Sequence, residues 1–373
     1  MGFMRVGRRL KRFGIIVGIL IGALLLIALI PLVGVAVQCR PFAEAPISDA
    51  EQHMSTVGEV EARPEDQTYL TFPEWYIVYS ADEYAAFVAD NRPSRFPFFA
   101  AMRQYWRAYY NVCAVTRERY AFNGGYHLTL VVIGVSFTYE DLFKGLYEKS
   151  IGRATEWISS PELTPEDAYA RQVAQEYGDF IHTIPWYEFP FDEKLRGLWR
   201  EMPLWGPNAI RKWERKLALS AEYGGKALYG RLIRQGTAAA YGAEELEIQA
   251  VVSGVSDALL QAEPEVKLMR QLGNGHALIS VPRYEAFTQL VPRLAAQGVQ
   301  FIEIAGNDQI LVTLIAPSDW RYDLPTGRPL FAMPVLIAPQ NDRMAVEAPV
   351  STLHLLLNAL KESPARLEHI YDY

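Results

Sequence analysis

The sequence predicts an α+β protein held to a membrane by one N-terminal helix. Two observations lead to this prediction: a long apolar run near the start, and a change near residue 245 from helical spacing of apolar residues to alternating strands and helices. The predicted organisation is a basic tip at 1–13, a transmembrane anchor at 14–38, a stalk at 39–66, an α-rich aromatic domain at 67–243 and a ferredoxin-like α/β sandwich at 244–373.

The composition is that of a folded protein with an acidic body. Half of the 373 residues are apolar and 12% are aromatic, which excludes a disordered chain. The net charge is −7, although residues 194–234 hold ten basic residues against three acidic ones. One basic strip on an acidic body does not suit a nucleic-acid-binding protein, so no nucleic-acid partner is expected. No internal repeat is visible.

The apolar run extends from Gly14 to Val37 without a charged or hydrogen-bonding side chain. A helix of 24 residues crosses the roughly 30 Å of hydrocarbon in a bilayer. Five basic residues before it predict a cytoplasmic N-terminus and a body on the other side of a bacterial inner membrane. The run is longer than a signal peptide needs. A signal cleaved after Gly34-Val35-Ala36 and a lipoprotein lipidated at Cys39 are the alternatives.

Three glycines, Gly14, Gly18 and Gly22, follow one another at intervals of four in this run. That spacing places them on one helix face, where a second helix can approach closely. The pattern predicts a homo-oligomer or a membrane-protein partner. Glycine is also common in membrane helices without such a purpose, which is the alternative.

The two cysteines, Cys39 and Cys113, give an ambiguous signal. An oxidising compartment would let them pair with each other, or let Cys39 pair with the same residue of a second chain. The favoured expectation is two unpaired thiols, with Cys113 in the core.

Order begins at Leu70 with two capping boxes in succession. Thr71 and Glu74 form the first, and Ser80 and Glu83 form the second. They predict two short helices that turn at Ser80. An aromatic-rich helix is expected from Pro97 to about Phe122, and Thr164-Pro165 opens another.

The segment 126–158 is ambiguous between two structures. Leu128–Phe137 could be a buried strand that ends at Thr138, which would cap a following helix. The alternative is one buried helix that runs to Ile158. The apolar part is too short for a second membrane span.

The basic strip contains the residues that we expect to contact a membrane surface. Its basic side chains alternate with tryptophan and leucine on a predicted helix, a composition typical of segments that lie against anionic headgroups. The alternative is a surface helix whose cations pair with the acidic body, and Gly224-Gly225 is expected to kink or divide it. The residues chosen are Arg211, Lys212, Trp213, Arg215 and Lys216.

Beyond residue 245 the pattern predicts a single ferredoxin-like sandwich. Val299–Ala305 and Gln309–Ala316 are expected to form a hairpin around Gly306-Asn307-Asp308. The other predicted elements are strands at His276–Pro282, Phe331–Ile337 and Leu367–Tyr373, and helices at Tyr284–Gln297 and Val350–Lys361. This fold carries no functional inference.

No catalytic or cofactor motif is present in the sequence. The best candidates are Glu176, Asp179 and His182, which helical spacing places on one face, where they would make a catalytic group or an incomplete metal site. No metal and no cofactor are predicted.

These observations favour a non-enzymatic scaffold, accessory subunit or lipid-contacting protein of the envelope. One alternative is a membrane-tethered enzyme with a site near Asp179 and His182. Another is a binder of a small apolar ligand, suggested by the aromatic residues of 70–125.

Overall fold

The computed structural model describes residues 62–240 and 246–373, helical residues 31–38 with the two residues after them, and seven single positions before these. For 236–240 only the backbone is described. The basic tip, Gly14 and most of the stalk lie outside the described residues. Among those that are described, no helix is both long enough and apolar enough to span a membrane.

The regular elements described before residue 241 are helices, and the strands, all after residue 246, form two antiparallel four-stranded sheets, so the protein is α+β as predicted. A π-helical turn, Glu148–Gly152, joins the third helix to the fourth. The helices are α1 (Asp66–Asp90), α2 (Phe98–Thr116), α3 (Gly124–Tyr147), α4 (Arg153–Ile158), α5 (Pro165–Ile181), α6 (Phe191–Glu201) and α7 (Ala209–Ala240).

Helix α1 is one continuous helix, so the prediction of two short helices turning at Ser80 is wrong. Thr71 does not cap a helix, because its hydroxyl donates to the carbonyl of Gln67 one turn earlier (2.7 Å). The Glu83 carboxylate binds the Leu336 amide and Arg343 on a strand instead of a local amide. Tertiary partners therefore use the carboxylate that the second capping box would have needed.

Helix α3, the π-helical turn and α4 run without a strand, which confirms the helical alternative for 126–158. Gly134 lets α3 approach α2, because any larger residue would meet the rings of Tyr105 and Trp106. Thr138 accepts a hydrogen bond from the Trp106 indole (2.9 Å) and donates to the Gly134 carbonyl, so it is an interior residue. The helix is not buried all round, since its outer face is exposed.

The Thr164 capping box is confirmed, and α7 continues through Gly224 and Gly225 without division. At α5 the Thr164 hydroxyl accepts from the Asp167 amide (3.1 Å), and the Asp167 carboxylate accepts from the Thr164 amide. This reciprocal pair needs only local residues.

The elements after residue 246 are β1 (Glu247–Ser253), α8 (Asp257–Ala262), β2 (Lys267–Gln271), β3 (His276–Pro282), α9 (Tyr284–Ala296), β4 (Gln300–Ile304), β5 (Gln309–Pro317), β6 (Arg328–Val335), β7 (Ala338–Pro349), α10 (Leu353–Leu360) and β8 (Arg366–Tyr371). The strands divide into two sheets, with orders β2-β3-β1-β4 and β6-β7-β5-β8. The predicted hairpin is wrong, because β4 pairs with β1 in one sheet and β5 pairs with β7 and β8 in the other.

The two sheets repeat one topology. In each, the second strand in chain order lies at one edge, followed by the third, the first and the fourth. A helix precedes the fourth strand in both. The first sheet has α8 between its first two strands, whereas the second has only residues 318–327 there. The repeat is topological and has no visible counterpart in the sequence.

Strand β5 is buried on both faces and connects the two halves of the protein. Ile310, Val312 and Leu314 pack with the apolar side chains of both sheets and of α9 and α10. The alternate residue Leu311 belongs to the core around α1. Because successive strand residues face opposite sides, one strand serves two cores.

Cys39 and Cys113 form a disulfide, which corrects the expectation of two unpaired thiols. The bond ties the end of helical residues 31–38 to α2. Gly34 lies against the Tyr110 ring, and Arg117 donates to the Gln38 carbonyl (3.2 Å). Residue 39 is therefore buried against the helical body.

Candidate functional site

The basic residues predicted to meet a membrane lie inside the protein. Arg211, Lys212, Arg215 and Lys216 are all buried, with side chains at most 3% exposed. Trp213 is half-buried, and its ring lies 6.2 Å from those of Trp199 and Trp205. Since the four cations face inward, the structure gives them internal partners in place of headgroups.

Arg211 is at the centre of these contacts. Its guanidinium donates to Asp167 (2.7 Å) and Glu214 (2.9 Å) and to the Gly152 carbonyl (3.2 Å). Burial alone would raise the pKa of Asp167, but the Arg211 guanidinium overcomes it and the pKa is lowered. The pair is therefore ionised at neutral pH.

The neighbouring cations extend this network to other helices. Lys212 pairs with Glu166 (3.0 Å) and Arg215 with Glu148 (2.8 Å), while Lys216 donates to the Met202 carbonyl (2.8 Å). These pairs join α7 to the start of α5, the π-helical turn and the end of α6. The alternative prediction, of cations that pair with the acidic body, matches this geometry.

The candidate catalytic residues do not converge on a common point. Glu176 pairs with Lys194, and Asp179 accepts from Gln175 (2.9 Å). His182 turns to other elements, where its Nε2 lies 2.8 Å from Asp82 of α1 and its Nδ1 lies 3.5 Å from Glu285 of α9. Glu176, Asp179 and His182 therefore each have a different partner and do not form one site.

His182 joins three elements as a cation. Its hydrogen bond with Asp82 and its ion pair with Glu285 raise its pKa to about 10. Burial would raise the pKa of Glu285, but its ion pair with His182 lowers that pKa to about 2. A protonated imidazole has no lone pair with which to accept a proton or bind a metal. This geometry gives no support to the enzymatic alternative at this position.

Many aromatic side chains of 70–125 pack against one another in the protein interior. Phe72, Tyr105 and Tyr109, for example, are fully buried in the core around α1. One surface depression of about 220 Å³ lies elsewhere, between the Tyr187–Asp192 segment and α7, and charged side chains line much of it. Its position does not match the predicted apolar-ligand site.

Of the three anchor glycines, Gly14 lies outside the described residues. Gly18 and Gly22 are helical, and among the described residues no atom lies within 4 Å of where a Cβ would be at either. Their predicted contact with a second helix stays a prediction.

The outer faces of α3 and α7 carry exposed apolar side chains. They recur at helical spacing, and each is 49–64% exposed. We call them the α3/α7 surface. It consists of Leu128, Val132, Phe143 and Leu146 on α3, and Ile210, Leu217, Leu228 and Leu232 on α7.

Polar pairs join α3 and the π-helical turn after it to α7, and their order along the chain shows that α3 and α7 run antiparallel. Residue numbers in these pairs rise along α3 and fall along α7. The apolar side chains of the surface lie outside this line of contacts. The pairs are Ser136 with Tyr229 (2.9 Å), Glu140 with Lys226 (2.6 Å), Lys144 with Glu222 (2.8 Å) and Glu148 with Arg215 (2.8 Å).

Sequence reasoning found half of this surface. The spacing of Ile210, Leu217, Leu228 and Leu232 is visible in the sequence, whereas both alternatives for 126–158 place Leu128 and Val132 of α3 in a buried element. The missed signal was helical periodicity: Leu128, Val132, Phe143 and Leu146 follow at intervals of 4, 11 and 3, which a strand does not produce.

Comparisons of this chain with protein-family models, with curated proteins and with solved structures find no match in any of the three.

Proposed function

We propose that this chain is a single-pass, membrane-anchored extracytoplasmic protein without enzymatic activity, whose helical body rests on the lipid surface through the α3/α7 surface. The exposed apolar α3/α7 surface is the observation that carries the proposal. Monomeric soluble proteins rarely expose large contiguous apolar patches. The basic strip predicted from sequence is replaced in this proposal by an apolar one.

The Cys39–Cys113 disulfide supports lipid as the occupant of this surface. The apolar run ends at Val37, two residues before the bond. Because this connection is so short, an anchor in the membrane would hold α2 at the bilayer surface. Trp106 of α2 packs on α3, and α3 in turn pairs with α7, so the α3/α7 surface lies on helices connected to this point through α3.

The energy of such a contact is sufficient for the proposal. Fully burying a large apolar side chain contributes roughly 1.5–3 kcal/mol, so each half-exposed residue of this surface contributes about 1 kcal/mol on entering the acyl boundary. A body tethered beside the membrane needs only a small part of this total. A scaffold or accessory role is compatible with such an arrangement.

We also infer that each sheet with its helices is a ferredoxin-like unit. The first sheet is built in the order β-α-β-β-α-β that defines this arrangement, and the second lacks only the first helix. This inference supplies a scaffold and no activity.

The test is an environment-sensitive fluorophore on a single introduced cysteine, in the full-length protein in lipid nanodiscs. The native cysteines are paired, so the label reacts at the new position. Val132→Cys on the α3/α7 surface should give blue-shifted emission that nitroxide-bearing lipids quench. Met269→Cys on exposed strand β2, 54% exposed against 49% for Val132, is the control and should stay in water. Equal emission and quenching at both positions would refute lipid contact.

A further inference from the structure

The disulfide has a histidine beside it. The two sulfur atoms of Cys39 and Cys113 and a ring nitrogen of His127 lie within 4.8 Å of one another, and all three residues are buried. They come from three elements: the end of helical residues 31–38, the last turn of α2 and the first turn of α3. Two sulfurs and one imidazole form the ligand type that zinc prefers in proteins.

The histidine is held in place by its neighbours. The Tyr109 hydroxyl makes a hydrogen bond with His127 Nδ1 (2.8 Å), and the Phe122 ring stacks on the imidazole at 4.5 Å between centroids. A hydrogen bond to one ring nitrogen is the interaction that orients metal-binding histidines. The side chain is therefore pre-positioned beside the sulfurs.

We propose that reduction of the Cys39–Cys113 disulfide converts this point into a binding site for one Zn²⁺ ion, held by two thiolates and His127. A trialkylphosphine supplies the two electrons and takes oxygen from water, which yields a phosphine oxide and two thiols. Binding of Zn²⁺ then releases both thiol protons. The proposal does not depend on the membrane contact proposed above.

Charge favours a divalent ion at this buried point. Two thiolates and a neutral imidazole carry a charge of −2, which Zn²⁺ cancels, whereas Cu⁺ would leave an uncompensated negative charge. The described residues offer three ligands, and water can complete the tetrahedron. The ion would connect residue 39 to α2 in place of the disulfide, so the tether would persist under reducing conditions.

The test is titration of the full-length protein with Co²⁺ as a spectroscopic substitute for zinc. The protein in detergent is reduced with a trialkylphosphine, and the phosphine is then removed under anaerobic conditions. The reduced protein is compared with the oxidised protein. We expect a thiolate-to-cobalt absorption band at one equivalent in the reduced protein only, and its loss on adding Zn²⁺. Absence of the band from fully reduced wild-type protein would overturn the proposal.

Variants assign the ligands. His127→Ala should weaken Co²⁺ affinity at least tenfold, whereas His276→Ala on β3 should leave it unchanged. Unchanged affinity in His127→Ala would also overturn the proposal, because two thiolates alone would then explain the band. Circular dichroism of each variant shows whether it has folded. If His127→Ala does not fold, the milder change Tyr109→Phe takes its place, and it should weaken Co²⁺ binding severalfold.

Discussion

Single residues in this protein act mainly by connecting elements, and His182 is the clearest example. It lies at the end of α5, between a carboxylate of α1 and one of α9. The two carboxylates keep the imidazole protonated, so it contributes a cation to the junction between the helices and the first sheet. This use differs from the catalytic use that its sequence spacing suggested.

The stability supplied by His182 should depend on pH. Its pKa is about 10 in the folded chain and about 6.5 in the unfolded one, so the contribution is complete below pH 6.5 and is lost as pH rises through 10. The difference in unfolding free energy between wild type and His182→Gln should therefore shrink between pH 6.5 and pH 10. Urea unfolding of both proteins in detergent measures it. A difference that is constant over this range would contradict the prediction.

Arg211 should matter for stability and not for membrane contact. Arg211→Ala leaves Asp167 and Glu214 buried without their cation, so the unfolding free energy should fall by roughly 3–5 kcal/mol. The control is Arg196→Ala, whose pair with Asp192 is in solvent, and it should change stability by less than about 1 kcal/mol. Denaturant unfolding distinguishes them, and similar effects from both changes would argue against the buried network.

At the scale of elements, α1 and α3 show packing that overrides local signals. Helix α1 continues past two capping boxes because the Thr71 hydroxyl bonds within the helix and the second sheet, through Arg343 and the Leu336 amide of the β6–β7 turn, binds the Glu83 carboxylate. Helix α3 contains the run Val131-Val132-Ile133, which favours strands, yet Gly134 and Gly145 let it pack closely on α2.

Close packing of α3 on α2 predicts a large difference between two glycines of the same helix. Gly134→Ala places a methyl group against the rings of Tyr105 and Trp106 and should cost about 1–3 kcal/mol. Gly125→Ala, in the exposed first turn, should be neutral or stabilise by up to about 1 kcal/mol, because alanine is the better helix former. Thermal unfolding of the two variants tests this, and equal melting temperatures would count against the packing.

At the scale of the whole molecule, the disulfide fixes the end of helical residues 31–38 to α2. Its two cysteines are 74 residues apart, so it closes a large loop in the unfolded chain. Helix α3, which carries part of the α3/α7 surface, packs on α2. Residues 31–38, α2 and α3 therefore form one connected set.

Removing the disulfide should destabilise the protein, and the bond itself should be within one chain. Cys39→Ser with Cys113→Ser should lower the unfolding free energy by about 2–4 kcal/mol, because the unfolded chain gains freedom. The wild type should run as a monomer on a non-reducing gel and show no free thiol when denatured. A disulfide-linked dimer would instead indicate the Cys39–Cys39 pairing.

Predictions from sequence succeeded where neighbouring residues suffice. The capping box at Thr164, the strand His276–Pro282 and the helix from Tyr284 all follow from local hydrogen bonding or side-chain periodicity, and each is present in the structure. The α+β class follows from the same signals. The anchor, too, is a prediction from an unbroken apolar run, whose length is a property of sequence alone.

Only the tertiary structure decided how these elements are used. Partners 44 or more residues away decide whether Arg211 faces lipid or Asp167 and whether a helix ends at Ser80. Pairing between strands decides whether β4 and β5 share a sheet. The same holds for the outer face of α3, which is exposed because no element covers it among the described residues. Local patterns specify which side chains a segment offers; burial and charge pairing across the fold determine which of them remain available for function.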